Sequence, residues 1–257
     1  MKFYHVDSFA SELFKGNPAG VMILKNGWLD ERLMLNIAME NNMSETAFVL
    51  IDGDDLHIRW FTPTLEVNLC GHATLAAAHV LYNHERVKGE LSFNSRSGIL
   101  GVTKKGTLIE LDFPKGDITP VPFSEELNCF NYSPNEVYKG KDDYLFVFSS
   151  EEKIRDIVCD LRKTSQIDLE GIIVTAKGKE YDFVSRYFGP KIGIPEDPAT
   201  GSAHTLMVPY WQSVMGKTSF KALQLSKRTG ELWCEAVGDR VKIAGNAITY
   251  LEGEIFI

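Results

Sequence analysis

The sequence predicts an α+β fold made of two similar halves, each a curved β-sheet around a central helix. Three observations carry this. An R-aromatic-F-x-P pentad occurs twice, as Arg59-Trp60-Phe61-Thr62-Pro63 and Arg186-Tyr187-Phe188-Gly189-Pro190, 127 residues apart. Each pentad precedes a Gly-containing turn that opens an apolar run of helical period, Leu69–Ala77 in the first case and Glu196–His204 in the second. Short segments rich in β-branched and aromatic residues surround both helices. Repetition of a whole strand-turn-helix unit points to internal duplication.

In the first half, Lys2–Ser8, Gly20–Leu24, Thr46–Ile51, Leu56–Phe61 and Glu90–Asn94 read as strands between polar or Gly breaks. Leu100–Thr103 and Leu108–Phe113 flank Lys104-Lys105-Gly106-Thr107, a hairpin signal. Asp30–Asn41 carries Leu33, Met34 and Ile37 at helical spacing. His72–Asn83 is a second helix, and its small residues from Ala73 to Ala78 suit close packing inside a curved sheet. Pro114-Lys115-Gly116-Asp117 marks the junction, which gives halves of residues 1–115 and 116–257, with the last strand free to return to the first half.

In the second half, Ser133–Tyr138 and Glu151–Ser165 read as helical, and Tyr144–Phe148, Ile172–Thr175 and Tyr181–Tyr187 as strands. Ser202–Val214 is the second central helix, expected to bend at Pro209 because proline lacks the N–H that the helix needs. Lys221–Leu225, Glu231–Ala236, Arg240–Ile243, Ala247–Leu251 and Glu254–Ile257 complete the strand set.

Composition narrows the function. The chain has 257 residues, 44% hydrophobic and 24% charged, the profile of a globular protein. A net charge of −8 with no basic stripe argues against nucleic-acid binding. No apolar run reaches the ~20 residues of a membrane helix. The N-terminus reads as a strand and not as a signal peptide, so a cytoplasmic location is expected. Cys70, Cys129, Cys159 and Cys234 form no C-x-x-C pair, which disfavours zinc or disulfide scaffolding. Three are expected as buried thiols, and Cys70 stands apart because it lies in the first turn. No G-x-G-x-x-G, phosphate loop, H-E-x-x-H or G-x-S-x-G is present, so no nucleotide or flavin cofactor is indicated.

Several residues could carry chemistry. Glu45 opens a strand in Asn42-Met43-Ser44-Glu45-Thr46-Ala47-Phe48, where a carboxylate can project from a sheet edge. An apolar pocket favours the neutral form of a carboxyl group, which suits proton transfer near neutral pH; a surface or capping role is the alternative. His72 and Asp197 hold comparable places in the two turns. Either one can act on a substrate, or serve as a helix residue and a helix cap. Helix N-termini present unpaired N–H groups, so Gly71, Ala73, Gly201 and Ser202 are candidates for holding a substrate carboxylate.

Read together, Phe14–Val21, Met43–Phe48, Arg59–Pro63, Cys70–Thr74 and Glu196–Ala203 resemble the PhzF family of phenazine-biosynthesis-like proteins, within the diaminopimelate epimerase-like superfamily. The resemblance spans essentially the whole chain. It implies two similar domains with an active site in the cleft between them, a homodimer, and no metal or organic cofactor. It implies an isomerase that moves a proton on a small carboxylate-bearing metabolite by general acid/base catalysis, with Glu45, His72 and Asp197 catalytic and Gly71, Ala73, Gly201 and Ser202 binding. Racemases of the superfamily use one cysteine per turn, whereas this chain has Cys70 alone and reads Asp197-Pro198-Ala199 in the second turn. A two-base racemase or epimerase using Cys70, or a non-catalytic binding module, are the alternatives.

Overall fold

The computed structural model describes all 257 residues. Backbone contacts divide the chain into two compact units, one of Met1–Asp112 with Ala244–Ile257, the other of Phe113–Ile243.

In the first unit the elements run β1 (Lys2–Ser8), β2 (Asn17–Leu24), α1 (Glu31–Asn41), β3 (Glu45–Asp52), β4 (Asp55–Phe61), β5 (Glu66–Val67), α2 (Gly71–Asn83), β6 (Leu91–Ser95), β7 (Gly98–Lys105) and β8 (Leu108–Pro114). Strand β1 pairs antiparallel with β2, β2 parallel with β3, β3 antiparallel with β4, and β4 antiparallel with β5 and parallel with β6. Antiparallel β7 and β8 follow, joined through Gly106, which takes the positive φ of 66° that the turn needs. Helix α2 packs against β1, β2 and β3. Its Ala73, Ala76, Ala77 and Ala78 are fully buried, so the sheet closes on a thin helix. A separate cluster of Phe3, Met22, Met34, Ile37, Phe48 and Phe61 seats α1.

The second unit runs β9 (Thr119–Pro120), β10 (Glu136–Lys139), β11 (Asp143–Val147), α3 (Glu151–Asp156), α4 (Leu161–Thr164), β12 (Gly171–Lys177), β13 (Phe183–Gly189), β14 (Ile194–Asp197), α5 (His204–Met215), β15 (Ser219–Gln224), β16 (Gly230–Val237) and β17 (Arg240–Gly245). The final strand, β18 (Ala247–Glu254), pairs antiparallel with β1 of the first unit.

Pairing in the second unit repeats that of the first. Strand β10 is antiparallel to β11, β11 parallel to β12, β12 antiparallel to β13, and β13 antiparallel to β14 and parallel to β15. The pentads fall on equivalent rungs, with Arg59 opposite Phe48 and Phe61 opposite Thr46, then Arg186 opposite Val174 and Phe188 opposite Ile172. Each arginine stacks over the phenylalanine two residues on, 5.2 Å from Phe61 and 4.9 Å from Phe188. Each also grips a glutamate of the following short strand with two nitrogens. Arg59 meets Glu66 at 2.7 and 2.6 Å, and Arg186 meets Glu196 at 2.7 and 3.0 Å. Such paired charge-assisted bonds fix direction as well as distance, and here they aim the chain into each turn.

Three predicted elements need correction. Ser133–Tyr138 is not helical: Glu136–Lys139 is strand β10, whose inward Val137 pairs with Phe146. Glu151–Ser165 is two short helices, because Arg186 Nη1 donates to the carbonyls of Ile154 and Ile157 and Cys159 bridges to Phe130. Ala247–Leu251 and Glu254–Ile257 are not separate strands, since β18 runs through Gly253 opposite Phe3 and stops at Glu254. Helix α5 continues past Pro209. The Thr205 carbonyl that residue 209 would have engaged accepts from Gly116 N–H instead, at 3.1 Å.

Candidate active site

Glu45 sits where it does because α1 stops sharply. Asp30 caps the helix start, accepting from the N–H groups of Arg32 and Leu33, and Asn42 ends it in the left-handed region at φ 48°. Met43 and Ser44 then lead into β3, whose first residue is Glu45, on the rung beside Ala19 of β2. Cys70 is the cap residue of α2, and its carbonyl accepts from both Thr74 N–H at 3.1 Å and the Thr74 hydroxyl at 2.6 Å. His72 follows in the first turn of α2, and its carbonyl accepts from the Ser8 hydroxyl at 2.7 Å.

These elements bring three reactive side chains together. His72 Nε2 lies 3.1 Å from Glu45 Oε2, and His72 Nδ1 lies 3.6 Å from Cys70 Sγ. All three residues are at least 93% buried. Asn17 Nδ2 approaches the same Nδ1 at 3.2 Å. Glu45 Oε2 and His72 Nε2 face each other at ion-pair distance without the alignment of a hydrogen bond, and the protein gives neither atom another hydrogen-bond partner. Buried polar atoms are rarely left this way, and where they are, function is a common reason.

Burial works against an imidazolium at His72, but neighbouring Cys70 and Glu45 outweigh it and hold His72 well above its ordinary range. Burial, followed by Glu45, pushes the Cys70 thiol up.

Candidate ligand atoms of Glu45, Cys70 and His72 lie within 4.8 Å of one another. Cysteine spacing in the sequence gave no sign of this grouping. A metal ion would need one imidazole nitrogen to converge with the thiolate and the carboxylate. His72 instead turns a different nitrogen to each neighbour, an arrangement suited to passing protons across the ring.

The second turn is built otherwise. Asp197 ends β14, 95% buried, and does not cap α5, which begins at His204. Its carboxylate accepts from the Thr200 hydroxyl at 2.5 Å. Gln224 Oε1 accepts from Thr200 N–H at 2.8 Å, and Gln224 Nε2 donates to the Asp197 carbonyl at 2.7 Å. Position His204 repeats the role of Thr74, its Nδ1 donating to the Thr200 carbonyl at 2.9 Å. The residue matching His72 is therefore Ser202, which is exposed, and not Asp197. Gly201 is buried beside it.

Sequence reasoning missed Asn17, Asp143 and Tyr187. The rung of Glu45 is held in the second unit by Gly171, where a Cβ would lie 2.7 Å from the Tyr187 hydroxyl. That hydroxyl donates to Asp143 Oδ1 at 2.9 Å, and burial pushes the Asp143 carboxyl up to about 6. Gly171, a glycine opening a strand on the rung that Glu45 occupies in the first half, is the signal that could have pointed there.

The chain matches the PhzC-PhzF family, described as phenazine biosynthesis-like protein, over residues 6–253. The chain belongs to this family. It is 46% identical to an uncharacterized isomerase of Pseudomonas aeruginosa over 257 residues, covering 99% of this chain and 98% of the relative. A crystal structure of a PhzF-family phenazine biosynthesis protein from Enterococcus faecalis superposes with a TM-score of 0.97 at 46% identity, covering 100% of this chain and 99% of that one. A hydroxyproline epimerase from Agrobacterium vitis shares the fold, with a TM-score of 0.64 at 10% identity and coverage of 98% and 91%. The family is thus PhzF-like within a mixed α+β, epimerase-like architecture.

Proposed function

We propose that the protein is a cofactor-independent isomerase that moves a proton on a small carboxylate-bearing metabolite, with Glu45 as the proton-carrying group. The observation that carries this reading is the buried Glu45–His72 pair, 3.1 Å apart, whose facing atoms have no other hydrogen-bond partner within the protein. A carboxylate with unspent hydrogen-bonding capacity in a dry setting is equipped to take a proton from carbon and return it elsewhere on the same substrate. His72, held charged by its neighbours, stabilises negative charge that builds on the substrate as the proton leaves. First-turn N–H groups of α2, at Gly71 and Ala73, are donors for the substrate carboxylate. In the second unit, Asp197, Gly201 and Ser202 are the substrate-contacting candidates. The name isomerase borne by similar proteins fits this chemistry.

A second reading rests on Cys70, whose sulfur lies 3.6 Å from His72 Nδ1. It makes Cys70 one base of a racemase. The two readings part in one experiment, in which small unsaturated and amino carboxylates are screened with wild type, Glu45→Gln and Cys70→Ala. Glu45→Gln keeps the shape and removes the proton carrier, so turnover should fall by about 10²-fold or more. Cys70→Ala should retain most activity. An essential Cys70 with a dispensable Glu45 would transfer the assignment to the racemase reading.

A further inference from the structure

His72 needs a partner at Nδ1 in whichever proton state it occupies, because the ring is 94% buried. A neutral ring with its proton on Nε2 requires a donor at Nδ1, whereas an imidazolium requires an acceptor there. The two side chains at Nδ1 are the Cys70 thiol at 3.6 Å and the Asn17 carboxamide at 3.2 Å. A thiol is weak in either role. A carboxamide is strong in both, since turning it over exchanges its NH2 for its oxygen.

Asn17 is fully buried and firmly placed. It opens β2 on the rung opposite Ser8, and Ser8 itself donates to the carbonyl of His72. Gly16 holds the preceding bend at φ 65°, where an added Cβ would lie 2.0 Å from the Ser8 carbonyl oxygen. No other residue type fits there, so the loop delivers Asn17 to one spot.

We propose that Asn17 is a positioning residue for His72, whose carboxamide turns over as the imidazole gains or loses its Nδ1 proton. The ring can then change charge with its Nδ1 partnered in both states. With the amide nitrogen toward Nδ1, the single ring proton points at Glu45. With the amide oxygen toward Nδ1, both ring nitrogens donate. Other groups facing the ring do not offer this reversal. Glu45 on β3 acts on Nε2, Cys70 is the weak thiol, and β1 contributes the neutral Ser8. Asp7, next to Ser8, directs its carboxylate to Phe14 N–H and His5. The inference rests on the Glu45–His72 reading of the site, but its primary test needs no substrate.

In wild-type protein labelled with 15N, the Asn17 side-chain NH2 resonances should move with the His72 ring nitrogens at one common midpoint. Asn17→Asp keeps the shape but offers only acceptors, so it should trap the imidazolium. His72 should then keep both ring protons to about one pH unit above wild type or higher, a shift that a carboxylate partner commonly produces. With a substrate in hand, the alkaline limb of the kcat–pH profile should move up with the His72 midpoint and KM should change little, because His72 acts as the charged ring. Asn17 resonances blind to the His72 titration would overturn the proposal, as would a folded Asn17→Asp variant in which His72 titrates as in wild type. Activity surviving in Glu45→Gln would instead defeat the isomerase reading and leave the Asn17–His72 coupling standing.

Discussion

The turns at Cys70–Thr74 and Thr200–His204 share one backbone plan and use it for opposite ends. In both, the residue four places on bonds back to the carbonyl of the first, Thr74 to Cys70 at 2.6 Å and His204 to Thr200 at 2.9 Å. In both, an arginine–glutamate clamp leads into the turn. The first turn then leaves Glu45 Oε2 and His72 Nε2 facing each other without hydrogen-bond partners. In the second turn the Asp197 carboxylate is bound by Thr200, and Gln224 closes the backbone around it. The scaffold is thus the same in both, and the side chains placed on it decide which buried polar atoms are bound within the protein and which face each other without a hydrogen bond.

If the second turn is a rigid fixture, breaking its closure should cost stability. Gln224→Leu strands Thr200 N–H and the Asp197 carbonyl in the core. We expect a loss of about 3 kcal/mol in urea unfolding, from two unsatisfied buried groups. A loss under about 1 kcal/mol, the worth of one ordinary hydrogen bond, would mean that the turn is not held this way.

The exchange of Glu45 for Gly171 on equivalent rungs gives a smaller test. Gly171→Ala puts a methyl group 2.7 Å from the Tyr187 hydroxyl and 2.8 Å from the Phe188 carbonyl. Overpacking of this kind should cost about 2 kcal/mol. Adding Tyr187→Phe should recover part of it, and no recovery would place the strain on the Phe188 carbonyl and the Tyr187 ring carbon, both 2.8 Å from the added methyl group.

The smallest effect concerns Asp143, whose carboxyl rises from an ordinary 3.8 to about 6 through burial. The folded state therefore binds this proton more tightly than the unfolded chain. The resulting stability is full below pH 3.8 and is lost as pH rises through 6. The amide introduced by Asp143→Asn does not titrate. The stability of this variant relative to wild type should therefore improve by about 1–2 kcal/mol between pH 4 and pH 7. Denaturant unfolding at the two pH values measures this, and a gap independent of pH would refute it.

Much of this architecture was legible in the chain. Lys2–Ser8 is the strand its aromatic and β-branched residues predict, and the alanine-rich run is the central helix. The repeated pentads marked the duplicated rungs. Local pattern failed where distant groups intervene. The Glu151–Ser165 segment reads as one helix until Arg186 claims its carbonyls. Strands β5 and β14 pair over only two rungs each and carry no periodicity to read. Glu45, His72 and Cys70 were visible as separate candidates, but their convergence depends on the β2–β3 register and on the start of α2. Asn17 stood out only as part of the Phe14–Val21 segment, because nothing local reveals that a residue of another element will face it.

Assignment of the substrate proton to Glu45, and not to Cys70, is open to one direct measurement. A turned-over substrate is incubated in deuterium oxide with wild type, Glu45→Gln and Cys70→Ala, and deuterium at the reacting carbons is followed by mass spectrometry. With Glu45 as the carrier, wild type and Cys70→Ala incorporate deuterium, and Glu45→Gln shows none above background. Incorporation that survives in Glu45→Gln and vanishes in Cys70→Ala would contradict the assignment.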